Sequence, residues 1–242
     1  MRTALVTGGS GDIGAAVCRR LASEGFAVAI GYNKNEASAS SLCAELRERG
    51  CTAMIVRLDL SDPASAEEGY GRVKSELGAP EVLVNNGGRA HIGLFTDMTD
   101  SEIDDLIRTD LTGAMQLSRR AAADMVKRGS GRIVSITSVW GEAGASCETV
   151  YSAAKAGLIG FTRALGKELA PGGITVNCIS AGMIDTKMNA ALSDEDKAAI
   201  VDDIPMGRMG TPDEIASLVS FLCSEGAAYI TAQCIRVDGG WM

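Results

Sequence analysis

The sequence predicts an α/β fold, a doubly wound parallel sheet of about seven strands with helices on both faces. Three observations predict it. Short apolar runs alternate with stretches of helical period along the whole chain. The chain has 242 residues, 46% hydrophobic and 22% charged, which suits one domain with a sizeable core. The residues that carry chemistry fall just after the apolar runs, where parallel sheets bind their ligands.

The strand-like runs are Ala4-Leu5-Val6, Phe26 to Ile30, Ala53 to Val56, Val82-Leu83-Val84, Ile133 to Ile136, Ile174 to Ile179 and Cys234 to Val237. Helical period is clear over Ala15–Glu24 and Ala37–Arg49. With five prolines, no repeat and no stretch of linker composition, residues 1–242 are read as a single domain. The net charge of −8 argues against nucleic acid, which asks for clustered Lys and Arg. Seven cysteines without a C-x-x-C pair, beside the single histidine His91, argue against a metal site and for reduced thiols. The first apolar run begins almost at residue 1, and no signal-like or membrane-spanning stretch is seen, so the expected location is the cytoplasm and no membrane partner is expected.

The first run ends in Thr7-Gly8-Gly9-Ser10-Gly11-Asp12-Ile13-Gly14 and leads into a helical stretch. Glycines there let the backbone turn tightly and approach a pyrophosphate, whose charge a helix N-terminus favours. A glycine cluster is often only a turn, but the strand before it and the helix after it are what a dinucleotide site requires. Gly8, Ser10, Gly11, Asp12, Ile13 and Gly14 are therefore cofactor-binding candidates. The second run ends Tyr32-Asn33-Lys34 without an acid. An acid there would hold a ribose 2′-hydroxyl and repel a 2′-phosphate. Asn33 and Lys34 thus favour NADP(H), with NAD(H) still open; the plain alternative is that Lys34 is an ordinary solvated lysine.

The fifth run leads to Ser138, and Tyr151-Ser152-Ala153-Ala154-Lys155 follows. Tyr and Lys at i, i+4 share one helix face. A free tyrosine titrates near pH ~10, and a neighbouring ammonium favours its phenolate. Such a tyrosine serves as general acid in carbonyl reduction and as base in reverse. A serine hydroxyl beside it can hold the carbonyl oxygen. Alone, Y-x-x-x-K is usually only a helix face; together with the serine after a strand and the glycine loop upstream it leads to the expectation of carbonyl reduction with a nicotinamide dinucleotide, with Ser138, Tyr151 and Lys155 as catalytic candidates and Tyr151 and Lys155 also as cofactor-binding candidates.

With these residues in view, the chain resembles the short-chain dehydrogenase/reductase family over essentially its whole length, which implies a Rossmann-like fold. The family's glycine loop is similar to Thr7–Gly14, and its Asn-Asn-Ala-Gly motif to Asn85-Asn86-Gly87-Gly88. Its adenine-contacting aspartate matches Asp59, with Leu60 beside it. Its nicotinamide-closing segment resembles Ile184-Asp185-Thr186. The resemblance therefore implies cofactor contacts from Asp59, Leu60, Asn86, Gly88, Ile184 and Thr186. Several positions depart from the family pattern. Asp12 stands at a usual glycine and is expected to cap the following helix. Gly11 replaces an arginine of many NADP-using members, Gly87 an alanine and Ala181 a proline. Asp110 stands where the family has an asparagine that helps hold a proton-carrying water; either it takes over that catalytic role, or it pairs with a neighbouring cation.

The substrate expectation is a ketone, small or carried on a protein. General resemblance is to 3-oxoacyl-[acyl-carrier-protein] reductases, but their basic docking positions read Gly129 and Gly172 here, with Lys127 and Arg128 nearby. The loop from Trp140 to Glu148 and the stretch Leu94 to Asp97 resemble bacterial reductases of the 5-aminopentanone modification on elongation factor P. A non-catalytic NADP(H)-binding protein is the competing class. Glu142 and Glu148, with no Lys or Arg between Ser138 and Tyr151, are expected to give the pocket rim a preference for neutral or amine-bearing ketones over carboxylate-bearing ones; the alternative is that they point to solvent or cap the nearby helix. The resemblance also implies a homotetramer, assembled through two long helices, roughly Asp104–Arg128 and Tyr151–Ala170; the plain alternative is that their apolar positions only face the domain's own sheet.

Overall fold

The computed structural model describes residues 2–189 and 192–242. Seven parallel strands form one sheet in the order β3-β2-β1-β4-β5-β6-β7. They are β1 (Thr3–Val6), β2 (Ala27–Tyr32), β3 (Ala53–Arg57), β4 (Val82–Asn85), β5 (Gly131–Ser138), β6 (Ile174–Ala181) and β7 (Cys234–Val237). Each coincides with an apolar run of the sequence. The strand order reverses between β1 and β4, the switch point at which an open parallel sheet leaves a crevice at its carboxyl edge.

The helices are α1 (Asp12–Ser23), α2 (Glu36–Glu48), α3 (Pro63–Leu77), α4 (Asp100–Ile107), α5 (Gly113–Arg128), α6 (Trp140–Ala143), α7 (Thr149–Leu169), α8 (Asp194–Asp203) and α9 (Pro212–Cys223). Alternation along β1 shows how two faces are built from one strand: Ala4 and Val6 join the core under α1, α2 and α9, whereas Leu5 joins the core under α3, α5 and α7. Local chemistry starts the helices. Asp62 caps α3 and is followed by Pro63 at the first turn; Thr211 and Glu214 form a reciprocal capping box at α9, with Pro212 behind the cap. No helix among the described residues is long and apolar enough to cross a membrane. All seven cysteines are free thiols, and Cys18, Cys43, Cys178 and Cys223 are buried.

One expectation needs correction. The stretch Asp104–Arg128 is not one regular helix: α4 and α5 are joined by a π-helical turn, Arg108–Thr112. Such turns widen the helix by one residue and recur at functional sites. This one carries Asp110.

Candidate active site

All the candidate residues lie at the carboxyl edge of the sheet. Gly8–Gly14 link β1 to α1, Asn33 and Lys34 follow β2, and Asp59 and Leu60 follow β3. Asn86 and Gly88 follow β4, Ser138 ends β5, Tyr151 and Lys155 open α7, and Ile184 and Thr186 follow β6.

The glycine loop owes its shape to backbone contacts. Gly8 has φ +61°, in the left-handed region, and a Cβ there would sit 2.8 Å from Gly87 Cα. A Cβ on Gly14 would collide with the Gly8 carbonyl. Thr7 fastens the loop to the neighbouring strand, because its Oγ1 accepts from Asn86 N at 3.0 Å and Gly87 N at 2.8 Å. The Asn86 amide donates to Thr7 O at 3.1 Å and Gly8 O at 3.2 Å. Asn86 thus holds the loop, and its amide nitrogen is engaged by protein rather than offered to a ligand. Thr7 carries no sequence signal for this role beyond its place ahead of the glycines.

The loop suits an anionic ligand. The N-cap of α1 is Gly11, exposed and without a side-chain cap, so the first-turn N–H groups have no side-chain acceptor. Asp12 does not cap α1 as expected. It is the first helical residue, and its Oδ2 accepts from Lys187 N at 2.7 Å. After β2, Lys34 is exposed and makes no ion pair among the described residues, and Asn33 is half-buried. Asp59 Oδ1 accepts from Ser61 Oγ at 2.7 Å and Ser61 N at 3.0 Å, which holds its carboxyl below the usual carboxylate range. The Leu60 side chain is buried against Gly87 and Gly113. Ile184 is buried and bridges Gly210, while Thr186 is half-buried. These groups fit a nicotinamide dinucleotide: a helix N-terminus without a side-chain cap would suit its phosphates, and Asn33 and Lys34 would suit its adenosine ribose.

Around Ser138, Tyr151 and Lys155 the cleft is organised by buried charge. Lys155 is 5% exposed and Asp110 1%. The Lys155 ammonium lies 3.2 Å from Asp110 Oδ2, a contact of charge rather than an aligned hydrogen bond, and 3.5 Å from Ile136 O. It also lies 5.3 Å from the Tyr151 ring centroid. Burial opposes the charged form of Lys155, but Asp110 and Tyr151 together outweigh burial and raise its pKa above the ordinary lysine value. Asp110 Oδ1 accepts from Arg89 N at 3.0 Å, which anchors the strand-β4 loop. Only glycine fits at position 88, since a Cβ there would be 2.6 Å from Asp110 Oδ2. Of the two readings of Asp110, the structure supplies the ion pair. Ser138 is buried, and its Oγ accepts from Trp140 N at 3.2 Å. Gly141 allows α6 to pack directly on the Lys155 backbone.

The expected acidic rim is corrected. Glu142 is paired by both oxygens with Arg236, at 3.0 and 2.9 Å, which holds its carboxyl below the usual range. Its charge is therefore compensated by a residue far away in sequence. Glu148 is half-buried, and burial raises its pKa, partly offset by the neighbouring Trp140. Neither is a free surface carboxylate. Trp140 meets Trp241 edge-on, ring centroids 4.9 Å apart, so the C-terminal residues brace the loop after Ser138. No local signal in the sequence announces Arg236 or Trp241 as part of this wall.

A parallel sheet with a glycine loop at its switch point, and a Ser, Tyr and Lys at its carboxyl edge, defines a dinucleotide-dependent oxidoreductase acting on alcohol or ketone groups. The comparisons specify the class further. A family profile described as enoyl-(acyl carrier protein) reductase matches residues 9–242. The chain is 42% identical over 239 residues to the 3-oxoacyl-[acyl-carrier-protein] reductase FabG of Escherichia coli (strain K12), covering 99% of this chain and 96% of that protein. It is 40% identical over 242 residues to the uncharacterized oxidoreductase YmfI of Bacillus subtilis (strain 168), covering 99% and 98%. A crystal structure from Agrobacterium tumefaciens, assigned provisionally as a gluconate dehydrogenase, superposes with a TM-score of 0.95 at 33% identity, covering 99% of this chain and 95% of that one. The chain belongs to the short-chain dehydrogenase/reductase family.

Proposed function

We propose that this protein is an NADP(H)-dependent carbonyl reductase that converts a ketone to a secondary alcohol, with a 3-oxoacyl thioester as the leading substrate class. The observation that carries the reading is the buried Lys155 ammonium, held between Asp110 at 3.2 Å and the Tyr151 ring at 5.3 Å, on the helix that follows Ser138. A nicotinamide dinucleotide held by the Gly8–Gly14 loop, Asn33 and Lys34 would supply the hydride. Ser138 Oγ–H donates to the substrate carbonyl oxygen and fixes its position. Tyr151 O–H gives its proton to that oxygen as charge develops, and the Lys155 ammonium stabilises the phenolate left behind. Asp110 keeps Lys155 protonated and in place.

The preference for NADP(H) rests on the exposed Lys34 and the lack of an acid after β2. Fluorescence titration should give tighter binding of NADPH than NADH, and Lys34→Glu should reverse the order. Tighter binding of NADH by the wild type contradicts it.

A second reading, reduction of an amino-ketone carried on a protein, is favoured by one observation. Arg128, the cation nearest the expected carrier-docking position, donates to Ala79 O at 2.7 Å and Pro80 O at 3.3 Å rather than projecting freely. Loss of nicotinamide absorbance with NADPH and a ketone panel separates the two. The leading reading expects the highest kcat/KM for 3-oxoacyl thioesters, and amino-ketones as the best substrates would overturn it in favour of the second. A homotetramer formed through α4–α5 and α7, in the cytoplasm, completes the proposal; sedimentation tests the assembly.

A further inference from the structure

Asp12 is the residue of the glycine loop that the reaction leaves without a role. It introduces a carboxylate at the helix end where a pyrophosphate would sit, which by charge alone weakens binding of an anion. Its side chain, however, does not face the amides of its own helix. Oδ2 accepts from Lys187 N–H at 2.7 Å, across 175 residues of sequence. Lys187 belongs to the segment after β6 that includes Ile184 and Thr186. That segment is held from its far side by backbone, through Asp185 N to Gly210 O at 2.9 Å and the Ile184–Gly210 bridge. It is also folded on itself, since Asn189 Nδ2 donates to Ile184 O at 2.7 Å. Among the described residues, Asp12 is the one member of the glycine loop whose side chain hydrogen-bonds this segment.

We infer that Asp12 is a positioning residue, a latch that holds the 184–189 segment over the dinucleotide site and so slows cofactor release. The inference rests on the reading of Gly8–Gly14 as the dinucleotide loop. The latch and the charge act in opposite senses. The hydrogen bond closes the segment and slows dissociation, whereas the negative charge near the phosphates weakens the complex. An asparagine keeps an acceptor oxygen and removes the charge; an alanine, well tolerated in a first helical turn, removes both.

The test compares wild type, Asp12→Asn and Asp12→Ala in two measurements on the full chain. The first is hydrogen exchange at the Lys187 amide without cofactor, with tryptic cleavage after Lys187 as a parallel readout. Loss of a charge-assisted bond should speed exchange about tenfold or more in Asp12→Ala, while Asp12→Asn stays within about threefold of wild type. The second is NADPH dissociation, by fluorescence displacement. Asp12→Ala should release NADPH several-fold faster than Asp12→Asn, and Asp12→Asn should bind at least as tightly as wild type. Equal Lys187 exchange in all three forms overturns the latch. So does an equal change in NADPH release in both variants, which a role of charge alone would give. If none of the three binds a dinucleotide while Lys187 exchange still responds to alanine, the glycine-loop reading fails and the contact stands as structural only.

Discussion

The two halves of the cleft are shaped by different means. In the half built on β1, β2 and β3, the geometry comes from backbone: Gly8 at φ +61°, Gly14 against the Gly8 carbonyl, and Thr7 and Asn86 bonded to main-chain groups. In the half built on β4, β5 and α7, it comes from side-chain charge removed from water, with Asp110 and Lys155 both almost fully buried and 3.2 Å apart. Backbone that is packed this tightly tolerates no added atoms but is indifferent to pH. A buried ion pair tolerates an isostere but is sensitive to charge. The first half suits recognition of a constant group, the dinucleotide phosphate; the second suits control of a proton.

The largest expected effect comes from breaking the buried pair on one side. Asp110→Ala leaves Lys155 without its carboxylate and should destabilise the fold by about 3–5 kcal/mol, read by urea unfolding. Asp110→Asn keeps the shape and should retain most activity. Its difference lies in pH. With the carboxylate gone, burial of Lys155 is opposed less, so the ammonium loses its proton at lower pH and the alkaline limb of kcat should move down. The pair's contribution to stability has the same sense: it is present below the unfolded lysine value and lost as pH rises through the raised folded one. Identical pH profiles in wild type and Asp110→Asn would reduce Asp110 to a bystander.

In the backbone half, Gly14→Ala should cost about 1–3 kcal/mol of stability, from overpacking. It should also weaken dinucleotide binding, with no shift in any pH limb. A pH-dependent loss would erase the contrast between the halves.

The smallest effect belongs to Glu148. Its pKa is raised by burial, so the folded state favours the protonated carboxyl; stability is full below the unfolded carboxylate value and is lost as pH rises through the folded one. Glu148→Gln should therefore raise the thermal midpoint at pH 7 slightly. It should do nothing near pH ~3, where the carboxyl is protonated in both states. A gain that is the same at both values would point to something other than charge.

What the sequence disclosed follows the same division. All seven strands were legible, because strands buried on both faces are short apolar runs, and α1 and α2 were legible from their period. The glycine loop and Ser138, Tyr151 and Lys155 were legible because each sits at a strand end or on one helix face. The π turn at Arg108–Thr112 was not: one extra residue in a helical ladder leaves no compositional mark, so Asp104–Arg128 read as a continuous helix. Contacts between distant positions were equally invisible. Glu142 read as a rim acid because Arg236 lies 94 residues away, and Asp12 read as a cap because its partner is the Lys187 amide, a backbone group that any residue type except proline supplies.

The central claim is that Tyr151 delivers the proton under the control of the buried Lys155. Single-turnover reduction of a ketone substrate by NADPH in wild type and Tyr151→Phe, beside NADPH titration of both, tests it most directly. The claim predicts that Tyr151→Phe loses about 10²–10⁴-fold in the reduction rate while its NADPH affinity stays within a few-fold of wild type. Reduction at near wild-type rate by Tyr151→Phe would contradict it.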